Sequence, residues 1–177
     1  MTVPANYAWL ATEPGPNMLK AGLAEFGTKE LPGGANSPVI MAWAKECGLT
    51  ATYSADSIPW CGLFMAVCAK RANWPFPDKP LWALNWSTWG TNAGQPELGD
   101  VLTFIRDGGG HVAMYVGEDT QGYYHVLGGN QSDAVSIMRI SKARMRAARR
   151  PVWRIAEPSN RRPIILKPYG AISSNEA

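Results

Sequence analysis

Five side chains carry most of the nucleophile, base and soft-ligand chemistry of the 177-residue sequence: Cys47, Cys61, Cys68, His111 and His125. Cys61 stands out by its setting. Trp60, Cys61, Phe64, Met65, Cys68 and Ala69 recur at helical spacing up to Arg71, with Ser57 as a plausible N-cap and Pro59 as a first-turn residue. That pattern predicts a helix with Cys61 in its opening turn, where unpaired backbone N–H groups and the helix dipole favour an anion and are expected to lower the thiol pKa. His111 follows Gly108-Gly109-Gly110 at the start of an alternating, strand-like run, well placed to act as a base. Together they could run acyl-transfer chemistry: the imidazole takes the thiol proton, the thiolate attacks a carbonyl carbon, and the imidazolium protonates the leaving amine. A third polar group must then fix the imidazole tautomer. Two candidates lie downstream, Asn130 in the turn after Gly128-Gly129, and His125 on the strand between. Cys47, closing a helix, and Cys68, one layer deeper than Cys61 on much the same face, read as core.

The competing uses of these residues are weaker. No two Cys form a Cys-x-x-Cys pair, which argues against a structural zinc site, and a three-ligand zinc built from both His and a carboxylate is the alternative set aside. No metal or other cofactor is expected. The odd Cys count speaks against a disulfide scaffold and leaves at least one thiol free.

Around these residues the composition is that of a packed globular domain: 46% hydrophobic, 18% charged, with eight Trp. The length suits one domain, expected over residues 1–157, followed by a tail over 158–177. A helix is expected over Asn17 to Phe26 after Pro14-Gly15-Pro16, and a second from Asn36 or Ser37 to about Gly48. The segment Trp74 to Gly90, with Trp82, Trp86 and Trp89, reads as loop plus a short helix. From Gly99 the period becomes two. Strands are expected over Asp100 to Arg106, His111 to Gly117, Gly122 to Leu127 and Ala134 to Ile140, with a further one at Val152 to Ile155. Short connections favour antiparallel neighbours, so the fold class is α+β: N-terminal helices packed on an antiparallel sheet of about five strands.

Charge is distributed unevenly. Residues 1–138 hold 7 Lys and Arg against 12 Asp and Glu, whereas residues 139–168 hold 10 against 1. Such a basic block attracts polyanions, with anionic wall polymers or lipid the expected class, or else forms a solvated edge. No nucleic-acid-binding motif accompanies it, so no specific nucleic acid is expected.

Four blocks, in order, carry a resemblance to a known family: Pro59-Trp60-Cys61-Gly62-Leu63-Phe64, Gly99-Asp100-Val101-Leu102-Thr103-Phe104, Gly110-His111-Val112-Ala113-Met114-Tyr115-Val116-Gly117, and Leu127-Gly128-Gly129-Asn130-Gln131. The sequence from about Ala21 to Pro151 resembles the NlpC/P60 and CHAP superfamily of papain-like peptidoglycan hydrolases, closest to its phage and prophage branch. The resemblance implies a papain-like NlpC/P60 (CHAP-like) fold, Cys61 as nucleophile, His111 as general base, and Asn130 as the residue orienting it, with His125 as the NlpC/P60-like alternative. The CHAP-like turn often carries an acidic residue where this chain has Gly128. An oxyanion hole would use the Cys61 backbone N–H, with Tyr53 as a further donor, and Trp60 and Trp86 would border the substrate groove.

The activity implied is hydrolysis of an amide bond in the peptide part of bacterial peptidoglycan, as in a phage endolysin. A secreted antibacterial or virion-associated hydrolase would use the same chemistry, and a catalytically inactive wall-binding module or an acyltransferase are readings of another class. Residues 1–16 show no signal-peptide pattern and no apolar run approaches ~18 residues. The expectation is therefore a monomer made in the host cytoplasm that reaches the wall after release, with a holin as partner if it is a lysis enzyme.

Overall fold

Alternation of apolar residues from Val101 onward produces the sheet that organises the molecule. The computed structural model describes residues 2–153 and 158–174. Seven strands form one sheet: β1 (Thr91–Asn92), β2 (Val101–Arg106), β3 (Gly109–Asp119), β4 (Tyr123–Gly128), β5 (Ser136–Ser141), β6 (Met145–Arg150) and β7 (Ile165–Leu166). The order is β1-β6-β2-β3-β4-β5, with every pairing on this path antiparallel. β3 is the longest strand. β2 pairs with its first half, which leaves the same edge of its far end to β7, paired parallel through Glu118 and Asp119.

Three helices cover one face: α1 (Asn17–Ala24), α2 (Pro38–Cys47) and α3 (Cys61–Arg71). Pro16 precedes α1, and α2 has Pro38 in its first turn and Gly48 in the left-handed conformation (φ 72°) as its stop. α3 is buried without interruption from Cys61 to Ala69, the signature of a helix enclosed on all sides rather than lying on a surface. It packs between α1, α2 and strands β3 and β4. Val112, Met114 and Val116 of β3 join the helix-side core, while Ala113 and Tyr115 join a second cluster on the opposite face with Leu102, Phe104 and Val126.

The α+β class and the helices-then-sheet order agree with the sequence. The sheet is larger than the five strands expected, for identifiable reasons. β6 reads Met-Arg-Ala-Ala-Arg-Arg, whose basic residues hide the alternation, and β1 and β7 are two residues each. Val152 and Trp153 are irregular, and Arg154 and Ile155 of the strand expected there lie outside the described residues. The expected tail is not loose over its described part: β7 joins the sheet and Ile172 bridges to Arg139. α3 also starts later than Ser57 and Pro59 suggest, because Trp60 is drawn into the core before the helical turn begins.

Candidate active site

Cys61 is the first residue of α3, and several features hold it there. The Trp60 indole is fully buried against Trp43 (centroids 6.0 Å) and donates its N–H to Glu30 at 2.9 Å. Gly62 follows, and a Cβ there would lie 2.2 Å from the Pro80 carbonyl oxygen and 2.8 Å from that of Leu81. Only glycine lets that loop close over the start of the helix. The Trp86 ring, also fully buried, secures the same loop by donating its indole N–H to the Pro80 carbonyl at 3.0 Å. Trp60 and Trp86 thus build the site's walls from within, and neither ring is exposed to line a groove. Exposed apolar surface nearby comes from Trp82, 71% exposed, and Leu84.

The Cys61 sulfur faces the backbone N–H groups of Val112, Gly62 and Cys61 itself. Val112 follows His111 in β3, so the nucleophile candidate meets the strand at the residue next to the base candidate. Burial nevertheless pushes the Cys61 thiol up, and these N–H groups with the Arg106 charge offset that only in part. The helix N-terminus does not yield the lowered pKa expected from position alone. The resting group is a neutral thiol, so any attack requires proton removal by a base.

His111 is buried, stacked on its cross-strand partner Phe104 (centroids 6.5 Å, 29° between planes). Its Nε2 lies 3.1 Å from Oε1 of Gln131. The Gln131 amide has one reasonable orientation, because its nitrogen donates to the Ser136 carbonyl at 2.6 Å and the Val126 carbonyl at 3.4 Å. The oxygen therefore faces the imidazole, the proton sits on His111 Nε2, and the lone pair is on Nδ1.

His111 Nε2 is thus held by Gln131, the residue after Asn130. Asn130 (φ 56°) is a left-handed turn residue beside it, followed by Ser132 (φ 55°) and Asp133 (φ 57°). Three non-glycine residues in this conformation cost roughly 1–2 kcal/mol each, and the turn they make aims Gln131 back under the sheet. Gly128 leaves room for it: a Cβ there would stand 2.8 Å from Gln131 Oε1 and 2.9 Å from the Ala113 Cβ. The glycine found where the CHAP-like turn often has an acid is the space the glutamine fills. The neighbouring Gly129 lets the end of β4 close onto Trp60 and Phe64.

His125 belongs elsewhere. It pairs with Gly117, six residues along β3 from His111, about 20 Å at strand rise. Its Nδ1 is 2.7 Å from the Tyr7 hydroxyl and its Nε2 3.1 Å from Asp119, itself bonded to Arg139 at 2.8 Å. Tyr53, the candidate oxyanion donor, is fully buried, and its hydroxyl donates to the Ile58 carbonyl at 3.2 Å. The donors facing the sulfur are backbone N–H groups instead. Cys47 and Cys68 are free thiols in the core, as their spacing suggests.

The basic block is mostly spent within the fold. Arg139 pairs with Asp119, Lys142 with Glu118, Arg150 with Asp100 and Glu97, Arg161 with Glu97, and Arg162 with Glu13. Arg149 donates to the Trp89 and Gly90 carbonyls. Five cations of the block thus sit beside carboxylates from earlier in the chain. Among the described residues no helix is long and apolar enough to cross a membrane, and no three His, Cys, Asp or Glu side chains gather as a metal-binding group.

The chain matches no protein-family model, no curated protein and no solved structure.

Proposed function

We propose that this chain is a cysteine amidohydrolase acting on the peptide part of bacterial peptidoglycan, with a papain-like fold of the NlpC/P60 and CHAP kind. The observation that carries the reading is the Cys61 sulfur set at the backbone N–H of Val112, the residue after His111 in β3, with the His111 tautomer fixed by Gln131. In this reading His111 Nδ1 accepts the thiol proton as sulfur attacks the carbonyl carbon of the scissile amide. The developing oxyanion faces backbone N–H groups at the start of α3. Collapse breaks the C–N bond, and the imidazolium gives its proton to the leaving amine. Water, deprotonated by the same nitrogen, then attacks the thioester, releasing the carboxylic acid and restoring the thiol. A neutral thiol at rest suits this sequence, since the proton that leaves sulfur is the one the amine needs.

The peptidoglycan substrate rests on the four motif blocks around this site, which resemble wall hydrolases in order and in residue type. The test is release of new amines, with loss of turbidity, from purified cell walls. Cys61→Ala is expected to abolish both while keeping the thermal midpoint of the parent. Undiminished hydrolysis by that variant would overturn the assignment, and transfer of the acyl group to an added amine with no free acid would make the enzyme a transferase.

A further inference from the structure

The indole N–H groups of Trp86 and Trp89 end on backbone carbonyls, of Pro80 at 3.0 Å and of Pro75 at 2.7 Å. That of Trp60, the residue before Cys61, ends instead on a side-chain carboxylate, Glu30 Oε2 at 2.9 Å. A hydrogen bond to an ionised acceptor is roughly twice as strong as a neutral one, so the indole at the head of α3 has a firmer anchor than the other two. The carboxylate is itself fixed through the backbone on both sides. The Glu30 N–H donates to the Asp133 carbonyl at 3.1 Å, and the next N–H, of Leu31, donates to Asp56 Oδ2 at 3.0 Å. Asp56 is buried and also accepts from the Ser37 N–H at 2.7 Å, which pins both ends of the intervening loop.

The strip around Glu30 leads to the other half of the site. Lys29 bridges antiparallel to Ala134, flanked by bonds from the Gly27 N–H to the Val135 carbonyl at 2.9 Å and from the Val135 N–H to the Thr28 carbonyl at 2.8 Å. The Ala134 carbonyl accepts the Gln131 N–H at 3.0 Å, closing the turn whose glutamine holds His111 Nε2. The Trp60 ring that donates to Glu30 also packs on Gly129, where a Cβ would stand 2.8 Å from its Cζ3. Glu30 thus grips the residue before the nucleophile with its side chain and the turn behind the base with its backbone. Cys61 and Gln131 are distant in sequence, and a shift of one against the other changes the sulfur–imidazole geometry that proton transfer needs.

We propose that Glu30 is a positioning residue that sets Cys61 in register with the His111–Gln131 pair, acting through the Trp60 indole. Its effect on rate rests on the hydrolase reading, whereas the mechanical link from Glu30 to the Gln131 turn does not. The test combines amine release from purified cell walls, run well below each variant's thermal midpoint, with NMR of the Gln131 side-chain NH2 group. Glu30→Ala is expected to lower the maximal rate roughly 10- to 100-fold, with little change in the wall concentration that gives half of it, and to shift the Gln131 signal. Glu30→Gln, which keeps an acceptor for the indole, should recover most of the rate and return the signal toward its parent position. Trp60→Phe loses the donor but keeps a ring to pack on Gly129. In that background Glu30→Ala should cost little more, because both changes break the same bond. A loss that Glu30→Gln does not relieve, losses that add in the double variant, or an unmoved Gln131 signal would each overturn the proposal. Wall hydrolysis by the parent that is undiminished in Glu30→Ala would also overturn it and leave the proposed reaction standing. A shifted Gln131 signal in Glu30→Ala, with no wall hydrolysis by the parent, would remove the reaction and leave the link in place.

Discussion

His111 Nε2 and Gln131 Oε1 face each other at 3.1 Å, and the rest of the glutamine amide is committed to carbonyls of β4 and β5. The relationship makes Gln131 a positioning residue: it acts through the imidazole. Gln131→Ala is expected to lower kcat/KM by roughly 10²-fold or more, on the scale that positioned acid–base catalysis contributes. Gln131→Glu keeps an acceptor for Nε2–H but turns its other oxygen on the Ser136 carbonyl, to which the amide nitrogen donated, and is expected to recover only part of the kcat/KM that Gln131→Ala loses. Asn130→Gly, which suits the left-handed backbone at that position, should leave activity nearly unchanged. Activity lost in Asn130→Gly and kept in Gln131→Ala would reassign the role to Asn130.

Gly128 offers a second way to disturb the same relationship without touching either partner. A methyl group there meets the Gln131 carbonyl oxygen on one side and the Ala113 methyl on the other. Gly128→Ala is expected to cost roughly 1–3 kcal/mol by overpacking and to lower kcat/KM by displacing the amide. Adding Ala113→Gly removes one of the two clashes. The double variant should recover part of the stability, read as the thermal midpoint, but little of the activity. Full recovery of both would show that Gly128 serves packing alone.

His125 is expected to matter for folding in acid and not for the reaction. Burial lowers its pKa against the opposing pull of Asp119, so the folded chain holds it neutral where the unfolded chain, at the ordinary value of 6.5, takes up a proton. Below that value the unfolded state binds more protons, and stability falls as pH drops from about 6.5 toward the depressed folded value. His125→Gln can still accept from Tyr7 and donate to Asp119. It should flatten the loss of thermal midpoint between pH 7 and 5 while leaving kcat/KM at pH 7.5 nearly unchanged. A collapse of kcat/KM in a folded variant would place His125 in the reaction.

The sequence was most legible where local chemistry fixes the outcome. α1 and α2 follow from prolines and Gly48 at their ends, and Cys61 is at the head of α3 because Gly62 admits the Pro80 loop. It was least legible where tertiary contacts decide. Asn130 and Gln131 are adjacent and both carry an amide, and only the backbone turn through 130–133 determines which one returns to His111. A glycine at 128, next to that pair, was the available clue, since it marks the place where another side chain needs room. The Cys61 pKa failed for a similar reason: position at a helix start is visible in the sequence, but enclosure by the Pro80 loop and β3 is not. The tryptophans misled because an indole that donates inward to Glu30 or Pro80 looks, in sequence, like one that faces a substrate.

Alkaline pH should weaken the fold through the thiols that burial keeps protonated. Cys47 is raised from 9.0 to about 11, and Cys68, enclosed in α3, is raised as well. Above pH 9 the unfolded chain loses these protons first, so the folded state binds more and stability declines as pH rises. For Cys47 the decline spans pH 9 to 11 and amounts to about 3 kcal/mol. Buried Tyr53 and Tyr115, whose hydroxyls are also raised, add to the slope from pH 10 upward in parent and variant alike. Cys47→Ala removes one titrating group from that set. Denaturant unfolding at pH 8.5, 10 and 11 is expected to show a shallower decline in the variant, with the difference confined to the interval above 9. Parallel curves over the whole range would mean that the Cys47 thiol titrates as freely in the folded chain as in the unfolded one, and its burial at the end of α2 would have to be abandoned.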